Sequence, residues 1–205
     1  MISNKSIELL EIWRKNPFGD FSISEIMKFS GKKTKTWTFN ALKLFIKANI
    51  LKSARKGNLD IYSMNLDNPF SFQYLQYLEM QNNLNFPKMN VLSEIINNFP
   101  IKNYCLIVFG SFASGKPTKN SDLDICILIE NKELEKKIKP YMNDIKLNHN
   151  IKIDENYITF EDFVKMLLIT EENLAKQIYK NHILFYNEGI YYQILKEANK
   201  NGFRQ

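Results

Sequence analysis

Residues 108–129 read VFGSFASGKPTKNSDLDICILI, and this stretch decides how the rest of the chain is interpreted. An apolar run ends at a Gly-Ser turn, and ten residues later two aspartates alternate with aliphatic residues. The alternation over 123–129 predicts a buried strand. Asp122 and Asp124 are two positions apart, so both point to one face of it. Neighbouring carboxylates repel each other and lose hydration unless they share a cation, so the pair predicts a metal site.

The turn Gly110-Ser111 supplies the second half of the pattern. It follows a strand-like run at 104–109 and leads into a short helix at 111–113. Free N–H groups and the positive dipole end of a helix favour phosphate. A phosphate-binding turn beside metal-binding carboxylates indicates nucleotide chemistry.

Gly110-Ser111, the ten-residue gap and Asp122-Leu123-Asp124-Ile125 resemble the signature of the DNA polymerase β-like nucleotidyltransferase superfamily. The closest resemblance is to its small MNT-like (minimal nucleotidyltransferase) members. It implies that the turn binds the triphosphate of ATP or another NTP. It also implies that Asp122 and Asp124 bind Mg²⁺ or Mn²⁺, and that a third carboxylate lies on a later strand.

The candidate for that third carboxylate is Asp154, which completes the catalytic and metal-binding set with Asp122 and Asp124. It lies on a strand candidate at 150–158, where Ile151 and Ile153 alternate. Glu155 is the alternative, because a register slip of one residue exchanges the two faces of a strand.

Lys116 and Lys119, in the loop between the turn and the aspartates, are candidates for further phosphate contacts. Members of the family often carry a basic residue directly after the Gly-Ser pair or two positions later. Phe112 and Ser114 occupy those positions here, so the chain departs from the pattern where phosphate affinity would be expected.

The first third of the chain carries the whole positive excess. Residues 1–70 contain twelve Lys and Arg against six Asp and Glu, a net charge of +6, whereas residues 71–205 contain sixteen of each. Such asymmetry suggests a separate unit with an anionic partner.

The pattern of residues 1–66 resembles a winged helix-turn-helix domain in its order of elements. Helices are predicted at 6–15, 24–29 and 34–48, followed by a hairpin of strands at 50–55 and 59–64. In this interpretation the third helix lies in a DNA groove and the hairpin contacts phosphates. Winged helices also serve as protein-binding or dimerisation modules, and that alternative stays open. The candidate nucleic-acid contacts are Lys32, Lys33, Lys35, Arg55 and Lys56.

The predicted fold class is α+β. A winged helix-turn-helix domain at 1–66 is followed by a connecting helix within 67–87, and then by a small mixed-sheet nucleotidyltransferase domain with C-terminal helices at 88–205. The connecting helix is apolar around most of its circumference, which suggests a homodimer or packing between domains. A helix at 133–147 is expected to be interrupted near Pro140.

The chain has no apolar run long enough to span a membrane, and a cytoplasmic protein without a membrane partner is expected. Cys105 and Cys126 lie in apolar strands and are expected to be buried thiols rather than a disulfide.

The predicted activity is transfer of a nucleoside monophosphate, AMP from ATP in the first instance, to a hydroxyl. Antitoxins of this family modify a HEPN toxin-type protein, so the resemblance implies a protein acceptor of that kind; an RNA end or a small molecule is the alternative. A second hypothesis is a DNA-binding regulator whose transferase domain is inactive or senses nucleotide. A third is an antitoxin that binds its toxin without chemistry.

Overall fold

A computed structural model describes residues 2–149 and 152–204. The chain divides into two compact units, Met1–Leu78 and Glu79–Gln205. Across the described residues, none of the helices is long and apolar enough to cross a bilayer.

The N-terminal unit combines short helices with a three-stranded antiparallel sheet in the order β1-β3-β2. Strand β1 was not predicted; its Phe21 pairs with Tyr62 of β3. A 3₁₀ turn at Glu8–Leu10 divides the single helix expected at 6–15. The elements are α1 Asn4–Ile7, α2 Glu11–Lys15, β1 Asp20–Ser22, α3 Ile23–Ser30, α4 Lys35–Lys47, β2 Leu51–Lys56 and β3 Leu59–Met64.

Local chemistry explains why a strand and a helix meet at Ser22. The Ser22 hydroxyl accepts the Glu25 N–H while the Glu25 carboxylate accepts the Ser22 N–H, which forms a capping box. The capping box starts helix α3 directly after Ser22, and this limits β1 to three residues. Trp13, Ile26 and Phe45 are fully buried and form part of the core of this unit.

Helix α5, Pro69–Asn83, contains the division between the units, which falls between Leu78 and Glu79. Its last turns belong to the C-terminal unit. There Tyr192 donates to the fully buried Glu79 (2.9 Å), and the Asn83 side chain donates to the carbonyl of Leu184.

The C-terminal unit contains a four-stranded mixed sheet in the order β6-β5-β4-β7. The pair β5–β6 is parallel, whereas β4 is antiparallel to both β5 and β7. The strands are β4 Tyr104–Val108, β5 Leu123–Ile129, β6 Ile153–Thr159 and β7 Ile183–Tyr186. Part of the third predicted strand, residues 150 and 151, lies outside the described residues.

Besides the end of α5, the helices that the described residues of this unit form are α6 Met89–Asn98, α7 Gly110–Ala113, α8 Glu133–Asn148, α9 Phe160–Leu168, α10 Leu174–Lys180 and α11 Glu188–Lys200. The expected interruption of α8 is wrong, because the helix continues through Pro140. Proline removes one backbone hydrogen bond. The buried residues Ile138, Met142 and Ile145 hold both halves of α8 against the core, and such packing supplies most of a helix's stability.

Alternation along β5 assigns its residues to two faces. Leu123, Ile125, Ile127 and Ile129 belong to one core cluster together with residues of α6 and α8. Asp124, Cys126 and Leu128 point to the opposite face. The expectation for the cysteines is confirmed, since Cys105 and Cys126 are free and buried.

Candidate active site

The Gly110 backbone lies directly against the Asp124 carboxylate. Gly110 has φ of +66°, and a Cβ at this position would lie 2.0 Å from Asp124 Oδ2. The N–H of Phe109 also donates to the Asp124 carbonyl (3.0 Å). Only glycine permits both the conformation and this approach, so the turn and the acid are built as one unit.

Asp124 and Asp154 are direct neighbours on the parallel strands β5 and β6. Paired residues of adjacent strands point to the same face, so the two carboxylates lie side by side. The pKa of Asp124 is raised, first by partial burial and then by the charges of Asp154 and Asp122; the Ser111 N–H, which donates to it, acts in the opposite direction. The site thus concentrates negative charge where hydration is reduced.

Asp122 precedes β5 by one residue and is engaged by a lysine. Lys152 Nζ lies 3.1 Å from Asp122 Oδ2. The Lys152 carbonyl accepts the Leu123 N–H at 2.8 Å, which fixes the backbone beside Asp122. The sequence interpretation missed Lys152, although its position two residues before Asp154 placed it on the same face as that acid.

Glu155, the alternative to Asp154, points to the other face of β6. It is paired in register with Ile125 and forms an ion pair with Lys146 of α8. The structure therefore brings Asp154, and not Glu155, beside Asp124.

The other predicted nucleotide-binding residues, Ser111, Lys116 and Lys119, lie in different positions relative to the acids. The Ser111 amide faces Asp124, and the Ser111 carbonyl accepts the Ser114 hydroxyl (2.9 Å) and the Lys116 N–H (3.0 Å). Lys119 lines a cleft of about 790 Å³ beside Asp122, whereas the exposed Lys116 is not among its lining residues. That lining consists of Pro87, Lys88, Phe112, Pro117, Thr118, Lys119, Asn120, Ser121, Asp122, His149 and Lys152.

His149, at one wall of this cleft, is held by Glu94 of α6 (Nε2 to Oε2 2.6 Å). This hydrogen bond is the main reason that the pKa of Glu94 is lowered. Lys88, Lys119 and Lys152 make the cleft basic, which suits an anionic ligand next to the acids.

The three aspartates supply the oxygen ligands that Mg²⁺ and Mn²⁺ prefer. Within 2–149 and 152–204, no three His, Cys, Asp or Glu side chains form a ready metal-ligand group. Asp122 is turned to Lys152, while Asp124 and Asp154 remain adjacent. The raised pKa of Asp124 and the absence of space for a Cβ at Gly110 fit a shared cation at this position.

The predicted nucleic-acid contacts of the N-terminal unit differ in their availability. Lys32 is paired with Glu8 (2.5 Å) and Lys56 with Asp20 (2.8 Å). Arg55 donates to the Gly57 carbonyl (3.3 Å). The other two, Lys33 and Lys35, are exposed at the start of α4.

Comparison with known proteins places a family over this site. Residues 90–190 match the family model described as "Polymerase beta, Nucleotidyltransferase". The match contains Gly110, Ser111 and all three aspartates, and it supports assignment of this domain to the polymerase β-like nucleotidyltransferase superfamily. No curated protein and no solved structure matches the chain.

Proposed function

We propose that the C-terminal unit is an MNT-like, Mg²⁺- or Mn²⁺-dependent enzyme that transfers a nucleoside monophosphate, AMP from ATP in the first instance, to a hydroxyl. The observation that carries this proposal is the register of β5 and β6. It sets Asp154 beside Asp124 while Gly110 packs against the Asp124 carboxylate. The family match supports nucleotidyl transfer in general.

Each residue has a defined role in the proposed reaction. Asp122, Asp124 and Asp154 would hold the cation, which when bound neutralises charge on the phosphates. Lys119 and the backbone around Ser111 orient the triphosphate. The acceptor oxygen bonds to the α-phosphorus as the bond to the β-phosphate oxygen breaks. Pyrophosphate leaves with that electron pair, and Asp154 takes the hydroxyl proton.

The proposed acceptor is a protein of the HEPN toxin type, in a cytoplasmic toxin–antitoxin pair. The family resemblance supports a protein acceptor. The charge-neutral composition of residues 71–205 gives this unit no net cationic character for RNA.

The test is incubation with ATP labelled at the α-phosphate, a divalent cation and candidate acceptors, followed by electrophoresis. Label is expected on a protein acceptor with the wild type, and its loss is expected for both Asp122→Asn and Asp124→Asn. Glu155→Gln is the matched control, because it removes an acid on the opposite face of the same sheet. Full labelling by either aspartate variant would contradict the metal assignment.

A second candidate function is a winged-helix DNA-binding regulator with an inactive or nucleotide-sensing transferase domain. The +6 charge of residues 1–70 and the exposed Lys33 and Lys35 favour it. Duplex binding should then weaken with salt, and the double variant Lys33→Gln/Lys35→Gln should reduce the slope of log K against log salt by about 2. Binding should survive Asp124→Asn. A salt-independent or unchanged signal would exclude this function.

A homodimer is also part of the proposal, supported by the apolar circumference of α5. Light scattering on the full chain tests it, and a monomer mass at micromolar concentration would remove it.

A further inference from the structure

Four side chains form a two-by-two array at the edge of the β5–β6 pair. Asp124 and Asp154 are the inner pair, since they face each other in register. Asp122 and Lys152 are the outer pair, each two residues earlier in its own segment and therefore on the same face. Lys152 thus places an ammonium group beside three carboxylates, at the position where the proposed function needs a cation.

Lys152 combines a fixed backbone with an exposed side chain. Its carbonyl is held by the Leu123 N–H at 2.8 Å, whereas 84% of its side chain is exposed. The side chain also lines the cleft that contains Lys88 and Lys119. A lysine is a point charge on a flexible stem, so its ammonium can exchange one anionic partner for another without backbone movement.

We propose that Lys152 is a positioning residue that pairs with Asp122 when no nucleotide is bound and moves to the nucleotide's phosphates on binding, thereby coupling cation binding to nucleotide binding. This inference rests on the proposed function and deepens it. Without nucleotide, Lys152 competes with a divalent cation for Asp122. With nucleotide present, the phosphates attract Lys152 and release Asp122.

The size of the effect follows from the exposure of the pair. Ion pairs as exposed as this one change an equilibrium about two- to fivefold. By linkage, the factor by which nucleotide tightens cation binding equals the factor by which the cation tightens nucleotide binding. Lys152 also stands in for the basic residue absent at Phe112 and Ser114, so its loss should weaken nucleotide binding about tenfold, as expected for a charged hydrogen bond.

The experiment measures Mn²⁺ binding to the full chain by calorimetry and electron paramagnetic resonance, with and without α,β-methylene-ATP. For Lys152→Gln, Mn²⁺ alone should bind two- to fivefold more tightly than to wild type, while the ATP analogue binds about tenfold more weakly. The enhancement of Mn²⁺ binding by the analogue should shrink by the same two- to fivefold. Lys152→Arg should keep the wild-type coupling, because the positive charge is retained.

Two further lysines serve as comparisons. Lys165→Gln removes another exposed, ion-paired lysine, on α9, and should change neither ligand's affinity. Lys119→Gln should weaken the analogue without tightening Mn²⁺ alone, because the Asp122 ion pair is made by Lys152.

The outcomes separate the two levels of the proposal. Wild-type coupling that persists unchanged in Lys152→Gln overturns the role of Lys152 and leaves the proposed function intact. If Lys119→Gln raises the affinity for Mn²⁺ alone as much as Lys152→Gln does, the role of Lys152 is also overturned, because the effect would then come from the net charge of the site. A wild-type chain that binds no Mn²⁺ even with the analogue overturns the proposed function and this inference together.

Discussion

Glu155 and Asp154 are neighbours on strand β6, but they lie on opposite faces and in different electrostatic surroundings. Glu155 points toward α8, is largely buried, and has Lys146 as its ion-pair partner. Asp154 points to the other face and adds its charge to Asp124, whose pKa is raised. Glu155 on one face thus has its charge compensated, whereas the other face brings three acids together, of which Asp122 is paired with the exposed Lys152. Repulsion of this kind is unfavourable in the free protein, and it marks a place prepared for a cationic ligand.

Neutralising Asp154 and Glu155 one at a time should separate their roles most clearly. Asp154→Asn should lower nucleotidyl transfer about 1,000-fold, or about 4 kcal/mol, because a cation ligand that acts in the transition state is lost. Glu155→Gln should keep activity within about threefold. Initial rates with labelled ATP measure both. The reverse order would move the third carboxylate to the opposite face.

Gly110 and Gly115 provide the next contrast. Their φ angles are nearly equal, +66° and +68°. A Cβ at Gly110 would meet Asp124 Oδ2, whereas a Cβ at Gly115 would have nothing within 4 Å. Each Ala substitution should cost about 1–2 kcal/mol of stability from backbone strain. Gly110→Ala should additionally lower activity about 100-fold, because it displaces the carboxylate. Similar activities for the two variants would show that the close approach has no catalytic role.

Metal addition tests the accumulated charge through stability. At 100 times its Kd, Mn²⁺ should stabilise the wild type by about 2.7 kcal/mol, which raises the Tm of the C-terminal unit by roughly 5–10 °C. Asp124→Asn should lose most of this shift. Differential scanning calorimetry measures it, with Mn²⁺ added to Glu155→Gln as the control, and equal shifts in all three proteins would place the cation elsewhere.

The pH dependence of the metal-free protein has a definite sign. Because the pKa of Asp124 is raised in the folded state, folded Asp124 holds its proton more tightly than unfolded Asp124. Its stabilising contribution is complete below the ordinary pKa of 3.8 and is lost as pH rises through the raised value. The difference in unfolding free energy between Asp124→Asn and wild type should therefore grow with pH over that interval. Urea titrations at several pH values measure this difference. A difference that does not change with pH would contradict the raised pKa of Asp124.

The two lysines that form ion pairs with these acids, Lys146 and Lys152, should differ in how much they contribute to stability. Lys146→Gln leaves Glu155 largely buried without this charge and should cost about 1–2 kcal/mol. Lys152→Gln should change stability by less than about 0.5 kcal/mol, because its ion pair is exposed. Chemical denaturation of both variants measures this, and a larger cost for Lys152→Gln would make that residue a structural one.

The sequence was most informative where alternation and chemistry coincide. Asp122 and Asp124 could be located because period two along a buried strand assigns faces without knowledge of the partner strand. The sequence favoured Asp154 but left Glu155 open, because the choice depends on the register of β6 against β5. Lys152 was missed for the same reason, since its partner Asp122 lies thirty positions away in sequence.

Other differences come from tertiary packing that overrides local preference. Strand β1 has only three residues and exists because β3 is beside it. Helix α8 continues through Pro140 because its buried residues Ile138 and Met142 outweigh one missing hydrogen bond. Neither the pairing of β1 with β3 nor the packing of α8 against the core is visible in the local sequence pattern.

The end of helix α5 has a practical consequence for dissecting the protein. A fragment that begins at residue 88, where the nucleotidyltransferase domain was predicted to start, lacks Glu79 and Asn83. It would lose the acceptor of the Tyr192 hydroxyl and the donor to the Leu184 carbonyl on the edge strand β7. A fragment that begins at residue 88 is therefore expected to fray at that edge. Fragments for isolated study are better started at Pro69, so that the helix is kept whole.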